Sequence, residues 1–264
     1  CVRAENVSAD LPAIVAQKDK VVQDFRVRKQ QQMDRRENIK IYKGHARFTG
    51  PHQVRVGGDL LESEKIFINT GGRPRIPKIP GLDTVNFLTN ENIMDLTEIP
   101  EHLIVLGGGY IGLEFGQMFR RFGSRVTVIH NSGQIVPRED PEVATELQQI
   151  LEAEGLSFLL NAQATRAEQQ GTAIAISVEG LHGRSVVTGS HLLLAIGRVP
   201  NSDDLGLEAA GIETDKFGFI KVNHRLETNV PGVWALGDVK GGPAFTHISY
   251  NDFQIVDANL TQGK

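Results

Sequence analysis

The sequence is poor in the residues that announce several protein classes. It holds one cysteine, Cys1, with one tryptophan, three tyrosines and three methionines among 264 residues. A single cysteine excludes an intrachain disulfide framework and suits a cytoplasmic setting better than an oxidising one. Long apolar runs are missing too. The longest lies at residues 192–196, far short of the about 20 residues a membrane span needs. The opening CVRAENVSAD has no basic-then-apolar secretory pattern. Charge of neither sign dominates: 28 Lys and Arg stand against 32 Asp and Glu, a net of −4. That balance argues against a protein held to nucleic acid by phosphate attraction. With 40% hydrophobic and 23% charged residues, disorder and collagen are excluded. Glycine alone is in excess, at 28 residues against a usual level of about 7%. Such an excess points to tight turns and close backbone approach to a ligand. The length allows about two domains.

Residues 9–38 read as one helix, with Leu11, Ile14, Val15, Val22 and Phe25 at helical spacing and Asn6, Ser8 or Asp10 as its cap. Its polar end, KQQQMDRREN, reads as solvated. Residues 41–69 change period, and runs at 46–48, 53–56 and 65–68 predict a small β-meander. Residues 71–101 are rich in Pro and Gly and read as a connection between domains. Residues 102–200 then read β-α-β-α-β, with strands at 102–106, 125–129 and 157–160 and helices at 110–122 and from Pro141. Asp140 caps the second helix, Gly155 closes it, and Val143, Leu147, Ile150 and Leu151 form its apolar stripe. Further strands are expected at 173–178, 184–187 and 191–196. Strands alternating with helices imply a parallel sheet. One internal echo stands out: IFINTGGRPRIP at 66–77 and LLLAIGRVPN at 192–201 each run from an apolar strand through Gly and Arg to Pro. Such endings suit a chain that crosses between two domains beside a ligand.

The strongest local motif is HLIVLGGGYIGLEFG at 102–116. Gly107, Gly109 and Gly112 form G-x-G-x-x-G between a buried strand and a helix. In that context Gly107 allows the tight turn, Gly109 lets backbone approach a pyrophosphate, and Gly112 packs helix on strand. The helix N-terminus adds N–H donors and partial positive charge. The acidic ribose ligand expected about 20 residues on is missing, because that position reads Ile129-His130-Asn131-Ser132. His130 can bond a ribose hydroxyl. Protonated, with Arg138 nearby in sequence, it suits a 2′-phosphate, which tilts the reading toward NADPH over NADH. A second motif, TNVPGVWALGD at 228–238, is an apolar strand ending in Gly237-Asp238. That is the place where ligands bind in open α/β sheets.

Taken with GHARF at 44–48, INTGGRPRIPKIPG at 68–81, AIGRVPN at 195–201 and TNVPGVWALGDV at 228–239, these motifs resemble the flavoprotein disulfide reductases, the pyridine nucleotide-disulfide oxidoreductases. The nearest branch in look is that of mercuric reductase and the reactive-chlorine-resistance flavoprotein. KIFINTG, FGSRVTVI, VPRED and GDVKGGPAFTHIS carry that likeness. The resemblance covers essentially the whole chain.

It implies an α/β fold of Rossmann-like FAD- and NAD(P)-binding domains, three-layered (ββα), with the NAD(P) domain inserted into the FAD domain. The expected partition is 1–90 and 200–264 for FAD and 91–199 for NAD(P). Gly107, Gly109, Ile111, Gly112, His130 and Gly197 would hold NADPH or NADH. Ala46, Thr70, Gly71, Gly72, Arg198, Gly237, Asp238 and Thr246 would hold FAD. Tyr110 would cover the nicotinamide pocket, and Glu114 would stand near the flavin. The implied activity passes hydride from NAD(P)H to FAD, then electrons to a cysteine pair and a small oxidised substrate such as a disulfide or mercuric ion.

Several parts of the family pattern are not in this sequence. There is no first G-x-G-x-x-G, no C-x-x-x-x-C, no Lys partner for Glu114, and no C-terminal dimerisation region with its His-Glu pair. Cys1, followed by Val2-Arg3-Ala4, is not the second redox cysteine, and His247 is not the paired His. The chain is therefore expected to be a piece of a longer, homodimeric protein, with an unpaired edge where its sheet lacks a first strand. Two alternatives remain from the residues: a nucleotide-binding module without turnover, and a flavoprotein reductase that uses no cysteines. The eight histidines show no metal-ligand spacing, and no G-x-S-x-G elbow occurs. Neither a metal site nor a membrane or nucleic-acid partner is expected.

Overall fold

A computed structural model describes residues 8–181 and 183–262. Cys1 and the capping candidate Asn6 lie outside the described residues. The chain divides into two units, one of residues 1–36 and 74–197, the other of 37–73 and 198–264. The second is thus built from two stretches that flank the bulk of the first. The first helix and residues 74–90, expected with the outer unit, group with the inner one instead.

The inner unit opens with α1, Leu11–Asp34, capped by Asp10, whose carboxylate accepts the Ala13 N–H at 3.1 Å. The helix stops four residues short of the expected end. Its contact with the core is confined to the start, where Leu11 is buried and Val15 packs beside it. Lys18 reaches Asp95 at 2.6 Å. Ile14, Val22 and Phe25, read as part of its apolar face, are exposed.

The unit's centre is a five-stranded sheet in the order Phe87–Leu88, His191–Leu194, His102–Leu106, Arg125–Ile129, Leu156–Leu159, with every neighbouring pair parallel. The region 71–101 is therefore not only connection, since it contributes an edge strand. The His102–Leu106 strand is buried along its whole length, so its apolar run serves both faces. Leu103 and Val105 pack toward α2 (Tyr110–Phe122) and α3 (Pro141–Ala153). Ile104 and Leu106 pack the other way, against Ile174, Ile176 and Val178 of an antiparallel sheet. That sheet joins Gln163–Gln170, Ala173–Gly180 and Gly183–Gly189. The unit is thus three-layered: antiparallel sheet, parallel sheet, helices. The 163–170 strand, QATRAEQQ, has no apolar alternation and was not expected from sequence. Its neighbour's hydrogen bonds make it a strand. In α3 the buried residues are Ala144 and Leu151, with Leu147 half-buried, while Val143 and Ile150 face solvent.

The outer unit holds the expected meander, with one correction. Its third strand is Asp59–Glu62, not 65–68. Ile66–Ile68 instead pairs in parallel with Val233–Ala235. Those two form a sheet by themselves, so no further strand lies on either edge among the described residues. The echoed segments pair with each other: Gly72–Pro74 and Arg198–Pro200 form a second two-stranded sheet. The one-turn α4, Leu207–Ala210, packs on the first meander strand, where the Phe48 N–H bonds the Leu205 carbonyl at 2.7 Å. The last helix, α5, covers Thr246–Gln262. Among the described residues no helix is long and apolar enough to cross a membrane.

Candidate functional site

In the inner unit the chain leaves the His102–Leu106 strand at Gly107 and enters α2 at Tyr110. The three motif glycines are needed for different reasons. Gly107 has φ +111, and a Cβ there would collide with the Ala195 carbonyl. A Cβ on Gly112 would collide with the Gly107 carbonyl. Both are therefore required by the protein's own packing. Gly109 has φ −86, open to any residue, and a Cβ there would meet nothing within 4 Å. Neither strain nor crowding inside the protein accounts for it. Ile111 and Gly112 stand in the first turn of a helix of 13 residues, where backbone N–H groups have no carbonyl four residues back within the helix. Gly197, φ +116, closes the neighbouring His191–Leu194 segment, and its carbonyl accepts the Arg75 N–H at 3.0 Å.

The loop after the Arg125–Ile129 strand folds back on this turn. The Val136 N–H bonds the Gly108 carbonyl at 2.8 Å. Val136 is buried at φ +38, a left-handed conformation that a β-branched residue adopts only when its surroundings impose it. The Tyr110 hydroxyl donates to Glu139 on the same loop, and that bond raises the phenol above its ordinary pKa. Glu114, one helical turn beyond Tyr110, is exposed. The His130 ring lies over Gly108, where an added Cβ would stand 3.0 Å from its Cγ. Burial lowers the His130 pKa, which works against the protonated ring expected for a 2′-phosphate.

The outer unit gathers the second set of residues. A concavity of about 590 Å³ is lined by Gly44, His45, Ala46, Thr70, Arg73, Asn201, Asp203, Asp204 and Leu205. The Thr70 hydroxyl donates to the Asn201 carbonyl at 2.8 Å, and the Asn201 amide returns a bond to the Thr70 carbonyl at 2.9 Å. Arg73 donates to Pro200, Asn201 and both carboxylate oxygens of Asp203, the last at 3.1 and 2.6 Å. The guanidinium holds the Asp203 carboxyl below its usual range. Gly71, φ +69, has open space where a Cβ would point. Gly72 does not: its Cβ would stand 2.9 Å from the Val199 carbonyl. Arg198 donates to the Gly72 carbonyl and stands 3.4 Å from Asp238. Gly237 and Asp238 begin a one-turn helix, Gly237–Lys240. Thr246 is exposed at the start of α5.

The expected residues therefore fall into two groups, one per unit. The sequence reading missed Arg73, Asn201 and Asp203 in the concavity, Glu139 on Tyr110, and Asp252 beneath Gly237. Only Arg73 and Asn201 had a signal, in the echoed segments 66–77 and 192–201 that carry them; Asp203 lies two residues past the second.

A family model described as pyridine nucleotide-disulphide oxidoreductase matches residues 3–252. The chain is 38% identical over 261 residues to the probable pyridine nucleotide-disulfide oxidoreductase RclA of Escherichia coli strain K12, covering 97% of this chain and 58% of that protein. To a mercuric reductase of Lysinibacillus sphaericus it is 35% identical over 254 residues, covering 96% and 46%. The solved Cu(II) complex of the HOCl-induced flavoprotein disulfide reductase RclA from Escherichia coli matches with a TM-score of 0.89 and 36% identity, over 96% of this chain and 58% of that one. The chain thus spans about half the length of the relatives it matches.

Proposed function

The chain belongs to the pyridine nucleotide-disulphide oxidoreductase family, and from that premise we propose that it serves FAD-dependent oxidation of NAD(P)H, the inner unit holding the nicotinamide nucleotide and the outer unit the adenosine side of FAD. The family works with FAD and NAD(P)H. Gly109 is the observation that carries the reading: a glycine with no reason inside the protein, at the N-terminal mouth of a 13-residue helix. The space above it admits a pyrophosphate, and the first turn of α2 supplies donors and partial positive charge to it.

In the outer unit Ala46, Thr70 and Gly71 line or border a concavity open to an adenosine. Asp238, beside Arg198, offers carboxylate oxygens to sugar-like hydroxyls. Bound flavin and nicotinamide supply the hydride chemistry; the protein binds, orients and sets charge around them. NADPH is the favoured nucleotide because residues 129–132 carry no carboxylate, not because His130 is charged.

The electron acceptor in this reading is a small oxidised species such as a disulfide or a soft metal ion. A relative bears the name mercuric reductase. A cytoplasmic homodimer is the assembly proposed.

The test is the visible spectrum of the purified chain after FAD is added and free cofactor removed, followed by NADPH or NADH. A retained flavin band that NADPH bleaches supports the reading. A colourless protein that still binds NADPH limits the function to the inner unit, and one that binds neither overturns it.

A further inference from the structure

The turn that carries Asp238 is held from beneath by a group the family motifs do not include. Asp252, on α5, is 3% exposed. Its Oδ2 accepts the Gly237 N–H at 2.9 Å and lies 3.2 Å from the Lys240 ammonium, whose side chain is 12% exposed. Gly237 and Lys240 are the first and last residues of the one-turn helix. One buried oxygen therefore ties both ends of the turn. A buried ion pair is often no more stabilising than the apolar residues that could replace it. Its presence here points to a demand for geometry.

The surroundings make the same demand. Gly237 sits at φ +68, and a Cβ on it would stand 2.8 Å from Ser249 Oγ and 3.0 Å from Asn69 Oδ1. The Val239 carbonyl accepts the Ile220 N–H at 3.0 Å, and the Gly241 N–H closes back on Asp238 at 3.1 Å. Between the tied ends only Asp238 projects a carboxylate, toward Arg198 at 3.4 Å.

We propose that Asp252 is a positioning residue: by binding Gly237 and Lys240 through one oxygen it fixes the Gly237–Lys240 turn and so the direction of the Asp238 carboxylate. It touches no ligand itself. The consequence for FAD rests on the reading of Asp238 given above.

Two variants of the whole chain test this. Asp252→Asn keeps an acceptor of the same shape but removes the anion. The double variant Asp252→Asn with Lys240→Met leaves no unpaired buried charge, so it keeps the test open if the single variant does not fold. Amide hydrogen exchange is read on the cofactor-free protein, for residues 237–241 against the buried strand 102–106. The expected result in both variants is exchange at 237–241 faster by on the order of tenfold, with 102–106 unchanged. Wild-type exchange at 237–241 in the double variant overturns the proposal.

FAD affinity, read by quenching of flavin fluorescence, is measured on the same proteins. A weakening of roughly tenfold with accelerated exchange supports both the proposal and the flavin reading. Accelerated exchange in a chain whose wild type binds no FAD leaves Asp252 as the residue that fixes the turn and overturns the flavin reading alone.

Discussion

Two of the three motif glycines are required by the chain itself; for the third, Gly109, the packing of the chain gives no reason. That distinction can be measured. Gly112→Ala forces a methyl against the Gly107 carbonyl and is expected to cost about 2 kcal/mol by overpacking, seen as a lower urea midpoint. Gly109→Ala places its methyl in open space. Stability should hold within about 0.5 kcal/mol, while NADPH affinity falls on the order of tenfold in a fluorescence titration. Unchanged affinity in a stable Gly109→Ala protein would remove the main support for a nucleotide at this turn. The motif was legible because strand, glycines and helix are adjacent in sequence. The surroundings of His130 were not: its half-buried ring lies over Gly108, the residue whose carbonyl the returning Val136 N–H bonds, and no residue near it in sequence announces that return.

The helices separate what pattern reveals from what packing reveals. The ends of α2 and α3 match expectation because their signals are local: the Gly109 turn and Gly123 at one helix, Asp140, Pro141 and Gly155 at the other. Asp140 accepts the Glu142 N–H at 3.1 Å, so Asp140→Ala should cost about 1 kcal/mol in the same denaturation assay. Which apolar residues a helix buries was less legible. In α1 only Leu11 is buried, and Phe25 is 64% exposed. Leu11→Ala is therefore expected to cost about 2–3 kcal/mol, against less than about 0.5 kcal/mol for Phe25→Ala. Equal effects would show that the far part of α1 is packed in solution. The strand Gln163–Gln170 shows the opposite case, an element with almost no apolar signal, made by pairing with Ala173–Gly180.

Across the whole molecule, pH is the most direct probe. His102, His130 and His191 all have pKa values lowered, with burial as the leading cause; for His102 the charge of Arg125 adds to it. A histidine near 6.5 when unfolded then binds its proton in the unfolded chain before the folded one. Stability is complete above about pH 6.5 and falls as pH drops below it. Urea midpoints at pH 8, 7, 6 and 5 should be level at first and then decline. His102 and His191 sit on adjacent strands of the parallel sheet. His102→Gln, His130→Gln and His191→Gln together should flatten the decline, and an unchanged slope would assign it to carboxylates instead. One of those, Asp203, has its carboxyl lowered by Arg73, so its contribution is lost only at more acid pH.

Short-range chemistry made much of this protein readable in one dimension. A buried strand, a glycine turn, a capped helix and a strand ending in Gly-Asp each depend on residues a few positions apart, and together they carried the family. Pairings over long separations were settled by folding. Ile66–Ile68 joined Val233–Ala235 and not the meander, because a parallel partner from the far end of the chain buried its apolar side chains better than a solvated hairpin would. α1 grouped with the inner unit through Leu11 and Lys18. Asp252 came under Gly237 from a position on α5 beyond the last motif residue, Ser249. A buried polar atom must find its partner wherever the fold brings one, and sequence proximity does not say where that is.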